Sequence, residues 1–87
     1  MFEVTISQRA KKTSKRLPDP QKHRIIQLLL VLWEPPVPAE QFDIKKLKGY
    51  KDTFRARIGD IRVIYEVQWG QQKIIVLVIE RRETAYS

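Results

Sequence analysis

Phe2, Val4 and Ile6 alternate with Glu3 and Thr5, the period-two pattern of a half-buried strand. Ser7 then stands where an N-cap belongs, ahead of a polar helix predicted through about Arg16 with a thin apolar stripe of Ala10, Thr13 and Leu17. Pro18-Asp19-Pro20 breaks the chain and restarts it, with Asp19 as N-cap and Pro20 at the first helical position, where a missing N–H is harmless. The second helix is predicted to run to about Trp33. Ile25, Leu28, Leu29, Leu32 and Trp33 share one side of it, while Lys22, His23, Arg24 and Gln27 include the solvent side. Pro35-Pro36 ends it. Residues 34–48 hold three prolines and no clear periodicity, which predicts an extended connection anchored by Phe42, Ile44 and Leu47.

The stretch from Phe54 to Val67 reads as a hairpin turning at Gly59-Asp60. A two-residue turn with Gly first pairs Ile58 with Ile61, Ala56 with Val63 and Phe54 with Tyr65 on one face. Arg55, Arg57, Arg62 and Ile64 then share the other face, with Arg57 directly across from Arg62. Like charges so placed repel, which points to an anionic ligand. A further strand is expected over Lys73–Ile79, apolar on both faces and therefore central or well covered. If Gly70-Gln71 is also a two-residue turn, Arg62 faces Ile79, and Arg81 falls on the arginine face while Arg82 points away. A one-residue slip reverses the two.

The predicted order is therefore β-α-α-β-β-β, an α+β fold with two N-terminal helices packed on one face of a small, twisted, mainly antiparallel sheet. At 87 residues, 43% of them hydrophobic, residues 1–87 suffice for one domain with a single modest core. The formal net charge of +7 and a pI of about 10.0 make nucleic acid the leading partner, although an acidic protein or an anionic membrane would satisfy the same electrostatics. With no cysteine and one histidine, His23, neither a disulfide framework nor a zinc site is expected, and the chain suits a reducing cytoplasm. The apolar run Ile25–Trp33 falls far short of the roughly 20 residues a membrane span needs.

Three strings carry a family resemblance. They are Phe42-Asp43-Ile44-Lys45-Lys46-Leu47-Lys48-Gly49, then Phe54-Arg55-Ala56-Arg57-Ile58-Gly59-Asp60-Ile61-Arg62-Val63-Ile64-Tyr65, then Arg82 followed four residues later by Tyr86. With the element order, they make essentially the whole chain resemble the RelE/ParE superfamily of toxins from type II toxin–antitoxin pairs, especially its archaeal RelE branch. The resemblance implies a ribosome-dependent endoribonuclease that inhibits translation by cleaving mRNA in the A site. In that chemistry the RNA's own 2′-hydroxyl attacks the adjacent phosphate, without metal or cofactor. It also implies a cognate RelB-like antitoxin partner. Carried over by position, Arg55, Arg57, Arg62, Arg82 and Tyr86 are the expected catalytic residues. Lys45, Lys46, Lys48, Lys51 and Arg81 are the expected RNA-binding footprint, and the spacing to Tyr86 ranks Arg82 ahead of Arg81. The alternatives are a ParE-like DNA gyrase inhibitor, which shares the fold without the catalytic cluster, and a non-catalytic RNA- or ribosome-binding module.

Guanidiniums suit such a reaction because their planar fork grips phosphate bidentately and neutralises the charge that builds on the phosphorane. Many bacterial relatives carry lysine at the positions of Arg55 and Arg57. Lysine among cations can lose a proton, whereas arginine effectively cannot. Proton transfer is thus left to Tyr86, or to ribosome and water.

Overall fold

Alternation and capping place the first elements where the sequence predicts them. In the computed structural model, which describes residues 2–32, 36–38 and 40–81, β1 (Glu3–Ile6) leads into α1 (Gln8–Lys15) and α2 (Asp19–Leu32). Ser7 caps α1, its side chain accepting the Ala10 amide at 3.0 Å. The Lys22 amide donates to the Pro18 carbonyl at 3.0 Å, so Pro18 rather than Asp19 supplies the first helical acceptor of α2 and the helix begins one residue early.

The connection after α2 holds one element the sequence pattern did not predict. Asp43–Lys46 forms β2, paired antiparallel with β3 (Thr53–Ile58). Three of its four residues are polar and exposed, so alternation is masked; hydrogen bonding to a neighbour makes it a strand, at an edge where charged residues discourage further pairing. β4 (Ile61–Gln68), a 3-10 turn at Trp69–Gln71 and β5 (Lys73–Arg81) complete the chain described. The sheet order is β1-β5-β4-β3-β2, with β1 parallel to β5 and every other pair antiparallel.

The core lies between the helices and one sheet face. Ala10 and Leu17 from the first helical segment and Ile25, Leu28 and Leu32 from α2 meet Ala56, Ile58, Ile61, Val63, Tyr65, Val67, Ile74, Val76 and Ile79. Phe54 and Tyr65 stack at 5.7 Å between ring centroids, and Trp69 packs edge-on against Phe2, so these aromatics are packing residues. Ile26 and Leu30 point away from this core, 52% and 71% exposed. Trp33, assigned to the buried stripe from sequence, lies outside the described residues.

The β3–β4 register is the one the hairpin reading requires: Ile58 opposite Ile61, Arg57 opposite Arg62, Phe54 opposite Tyr65. Gly59 turns the chain at φ +58°, a left-handed conformation that favours glycine; the Arg24 guanidinium, 3.0 Å from where a Cβ would stand, is the mobile end of an exposed side chain. The β4–β5 register follows the sequence reading only halfway. Gln68 faces Lys73 and Tyr65 faces Val76, as predicted, although the connection is longer than two residues and closes with Gln72 at φ 52°. A bulge then leaves Leu77 unopposed, and beyond it Ile64 faces Val78 and Arg62 faces Glu80. The extra residue keeps Ile74, Val76 and Ile79 all buried, at the expense of shifting the pairing by one.

Candidate nucleic-acid interface

Cross-strand partners share a face, so the register arranges the outer side of the sheet into rows. One row runs Asp43, Arg57, Arg62, Glu80 across β2, β3, β4 and β5. The next runs Lys45, Arg55, Ile64, Val78. The expected catalytic arginines of the hairpin, Arg55, Arg57 and Arg62, are therefore brought together on one face beside Lys45. The acids at both ends of the first row were missed from sequence. Both were visible as residues, but only the pairing of β2 and the bulge in β5 bring them level with the arginines.

These acids change the electrostatics. Glu80 Oε2 accepts from Arg62 Nη2 at 2.6 Å and from Nε at 3.2 Å, and Asp43 lies 4.0 Å from Arg55. The repulsion between Arg57 and Arg62 is thus offset at both flanks. Within these two rows four cations stand against two carboxylates, so the positive charge is concentrated there, while Glu66 lies on the next row of the same face. Arg57 is exposed and forms no ion pair among the described residues. The Arg55 side chain is only 11% exposed, and its Nη1 is shielded without a hydrogen-bond partner among the described residues. A shielded, unmatched guanidinium nitrogen is costly unless an anion completes it.

Arg81 takes the second of the two sides that the sequence reading left open. It pairs with the buried Ile61 rather than joining the arginine face, because the bulge at Leu77 supplies the one-residue slip that reverses its side. Its guanidinium lies 3.9 Å from Asp60 at the hairpin turn. The lysines divide as well. Lys45 is on the arginine face, Lys46 shares the opposite side with Phe54, and Lys48 and Lys51 lie in the turn between β2 and β3; all four are exposed. Arg82 and Tyr86 lie outside the described residues.

Tyr65 is the tyrosine nearest in sequence to the arginines, and its chemistry is fixed by burial. Its hydroxyl donates to the Pro36 carbonyl at 3.0 Å, and burial pushes the phenol well above its usual range. It is a structural donor and no base. Below about pH 10 the phenol is protonated in both folded and unfolded chains. Above that, the unfolded chain releases a proton that the fold retains, so stability is expected to fall as pH rises. Urea unfolding between pH 9 and 11 checks this: wild type should lose more stability than Tyr65→Phe, and parallel losses would contradict it.

A family model described as the ParE toxin of type II toxin-antitoxin system, parDE, matches residues 4–86. Over 86 residues, 99% of this chain and 96% of its relative, the sequence is 44% identical to a Methanocaldococcus jannaschii RelE1 toxin. Among solved structures, the archaeal RelE-RelB complex from Pyrococcus horikoshii OT3 aligns with a TM-score of 0.85 at 37% identity, covering 93% of this chain and 94% of that one. The RelB-RelE antitoxin-toxin complex from Methanococcus jannaschii aligns at 0.82 and 26% identity, covering 95% of each. No helix among the described residues is long and apolar enough to cross a membrane.

Proposed function

Because the chain belongs to the ParE toxin family of type II toxin-antitoxin systems, with RelE toxins among its relatives, we propose that it is a ribosome-dependent endoribonuclease that cleaves mRNA in the A site. The observation that carries this reading is the convergence of Arg55, Arg57 and Arg62 on one sheet face with more cations than carboxylates. That face offers what a phosphorane needs most, fixed donors that need no rearrangement as charge develops. The 2′-hydroxyl of the message attacks the adjacent phosphorus, the 5′-oxygen of the next nucleotide leaves with a proton, and a 2′,3′-cyclic phosphate and a 5′-hydroxyl result. Arginines hold and stabilise the reacting phosphate. Proton transfer falls to Tyr86 or to ribosome and water, since a guanidinium has no lone pair to offer as a base and Tyr65 is buried. No metal or cofactor is required by this scheme, and the reaction belongs in the cytoplasm, where ribosomes are.

A RelB-like antitoxin is the proposed protein partner. Two archaeal RelE relatives of known structure are seen in complex with RelB, and the chain carries an apolar hollow of about 470 Å³ lined by Val4, Ile6, Ile26, Leu29 and Leu30. An amphipathic helix could fill it.

Adding the purified protein to ribosomes stalled on a defined mRNA and mapping 5′ ends tests the enzymatic reading. Cleavage in the A site that disappears with Arg82→Ala is the expected result. The ParE family match keeps a second reading in view, inhibition of DNA gyrase. Intact message together with blocked gyrase supercoiling would establish that reading instead.

A further inference from the structure

A second cationic hollow, of about 480 Å³, opens between α1 and the ends of β4 and β5. Arg9 and Arg16 line it from the helical side, and Arg62 and Arg81 from the strands. Arg9, Thr13 and Arg16 stand at i, i+4 and i+7, which puts them along one helix face. That stripe is legible in the sequence, but only the docking of α1 beside β5 shows what it faces. Among the described residues Glu80 is the one carboxylate in the lining, and Arg62 already holds it, while Asp60, outside the lining, lies 3.9 Å from Arg81. No acidic residue occurs in α1. Leu17 and Ile79 form the apolar part of the wall. Within this setting Arg81 Nε is shielded and has no hydrogen-bond partner among the described residues.

Four guanidiniums against two carboxylates, Glu80 on Arg62 and Asp60 beside Arg81, leave an excess of donors suited to phosphate oxygen. We propose that this hollow is a second phosphate subsite, in which Arg9, Arg16 and Arg81 hold a backbone phosphate of the RNA strand neighbouring the one that reacts. Arg62 carries the choice of ligand. It lines the hollow and also belongs to the Asp43-Arg57-Arg62-Glu80 row, so one strand can pass from the sheet face into the hollow without leaving cationic surface. Arg9, Arg16 and Arg81 are then positioning residues: they fix the strand so that its reacting oxygens align, the chief demand of in-line attack. The subsite rests on the RNA-cleaving reading for its ligand, and its test separates the two.

The full-length chain, labelled with ¹⁵N, is titrated with a 2′-O-methylated hexaribonucleotide, which cannot undergo 2′-hydroxyl attack. The arginine Nε–H signals of Arg9, Arg16 and Arg81 are expected to shift. Arg9→Gln/Arg16→Gln, exposed positions on α1 and at its C-cap, is expected to keep its circular dichroism spectrum. It should weaken binding about tenfold and lower the salt slope by about 0.7, the share of one single-strand phosphate. In the ribosome assay the same variant should raise KM more than it lowers kcat. Unchanged affinity and salt slope overturn the subsite. Equal shifts and affinity with inorganic phosphate would make it a free-anion site, and shifts with oligoglutamate but none with RNA would make it a dock for an acidic protein segment; either result overturns the proposal. A wild-type chain that binds the oligonucleotide through these arginines yet leaves ribosome-bound mRNA intact overturns the nuclease and supports the subsite. Cleavage with unchanged KM in the double variant does the reverse.

Discussion

Arg57→Ala is expected to slow A-site cleavage by roughly 10²- to 10³-fold, about 3 to 4 kcal/mol of transition-state stabilisation, while leaving the fold intact. Arg57 is the sharpest probe of the cluster because its donors are uncommitted. Arg62 is held by Glu80, and Arg55 is shielded near Asp43, so truncating either also leaves a carboxylate without its partner. Arg57 is exposed and forms no ion pair among the described residues. Its loss removes a phosphate ligand and the cross-strand attraction of Asp43, and it relieves like-charge crowding with Arg62 on the other side, so stability should stay within some tenths of a kcal/mol of wild type. Activity is therefore expected to fall without a matching loss of stability. Arg57→Lys, which keeps the charge but loses the planar fork, should recover part of the rate. Single-turnover cleavage on programmed ribosomes, with urea unfolding alongside, measures both quantities. An Arg57→Ala protein that cuts at the wild-type rate would remove this residue from the chemistry.

The largest stability effect is expected at Leu28, with Leu30 as its internal control. Both lie on α2 within a run of three leucines, but Leu28 is 0% exposed and Leu30 71%. Leu28→Ala deletes buried methyl groups and leaves a cavity beneath the sheet, which costs about 3 to 5 kcal/mol. That is a large part of the roughly 5 to 15 kcal/mol that holds a small domain folded. Leu30→Ala should change stability by no more than about 0.5 kcal/mol. Because Leu30 lines the apolar hollow beside β1, the same substitution should weaken association with the antitoxin. Chemical unfolding of both variants and calorimetric titration of the second separate the roles. Equal destabilisation at the two positions would mean that α2 is rotated from the orientation described.

How far the sequence could be read depended on whether a pattern carried phase information. The β3–β4 hairpin could be read to the residue. Its apolar and charged positions alternate cleanly, and Gly59-Asp60 marks the turn, so Arg57 could be placed opposite Arg62. In β5 the run Ile74–Ile79 is apolar on both faces, and period two says nothing about where an extra residue enters. The bulge at Leu77 was invisible for that reason, and the sides of Glu80 and Arg81 went with it. β2 was lost for the opposite reason, since an edge strand of mostly exposed polar residues has almost no apolar pattern to read. Arg9 and Arg16 were seen only as part of a polar helix. Helical spacing shows that they share a face, whereas the strand ends they face depend on tertiary docking and on the register of β5.

Ser7 gives these separate elements a common reference point. Its amide donates to the Val76 carbonyl at 2.9 Å, its hydroxyl donates to the Leu77 carbonyl at 2.8 Å, and its side-chain oxygen accepts from the Ala10 amide. The bulged step of β5 and the first turn of α1 are thus fastened to one residue. Arg9 follows two positions later on the helix, and Arg81 lies at the end of the strand beyond the bulge. The backbone positions from which Arg9 and Arg81 project are thus tied to a common anchor, set by hydrogen bonds outside the hollow. A substitution at Ser7 would therefore be felt on both walls of the hollow at once, although Ser7 does not line it.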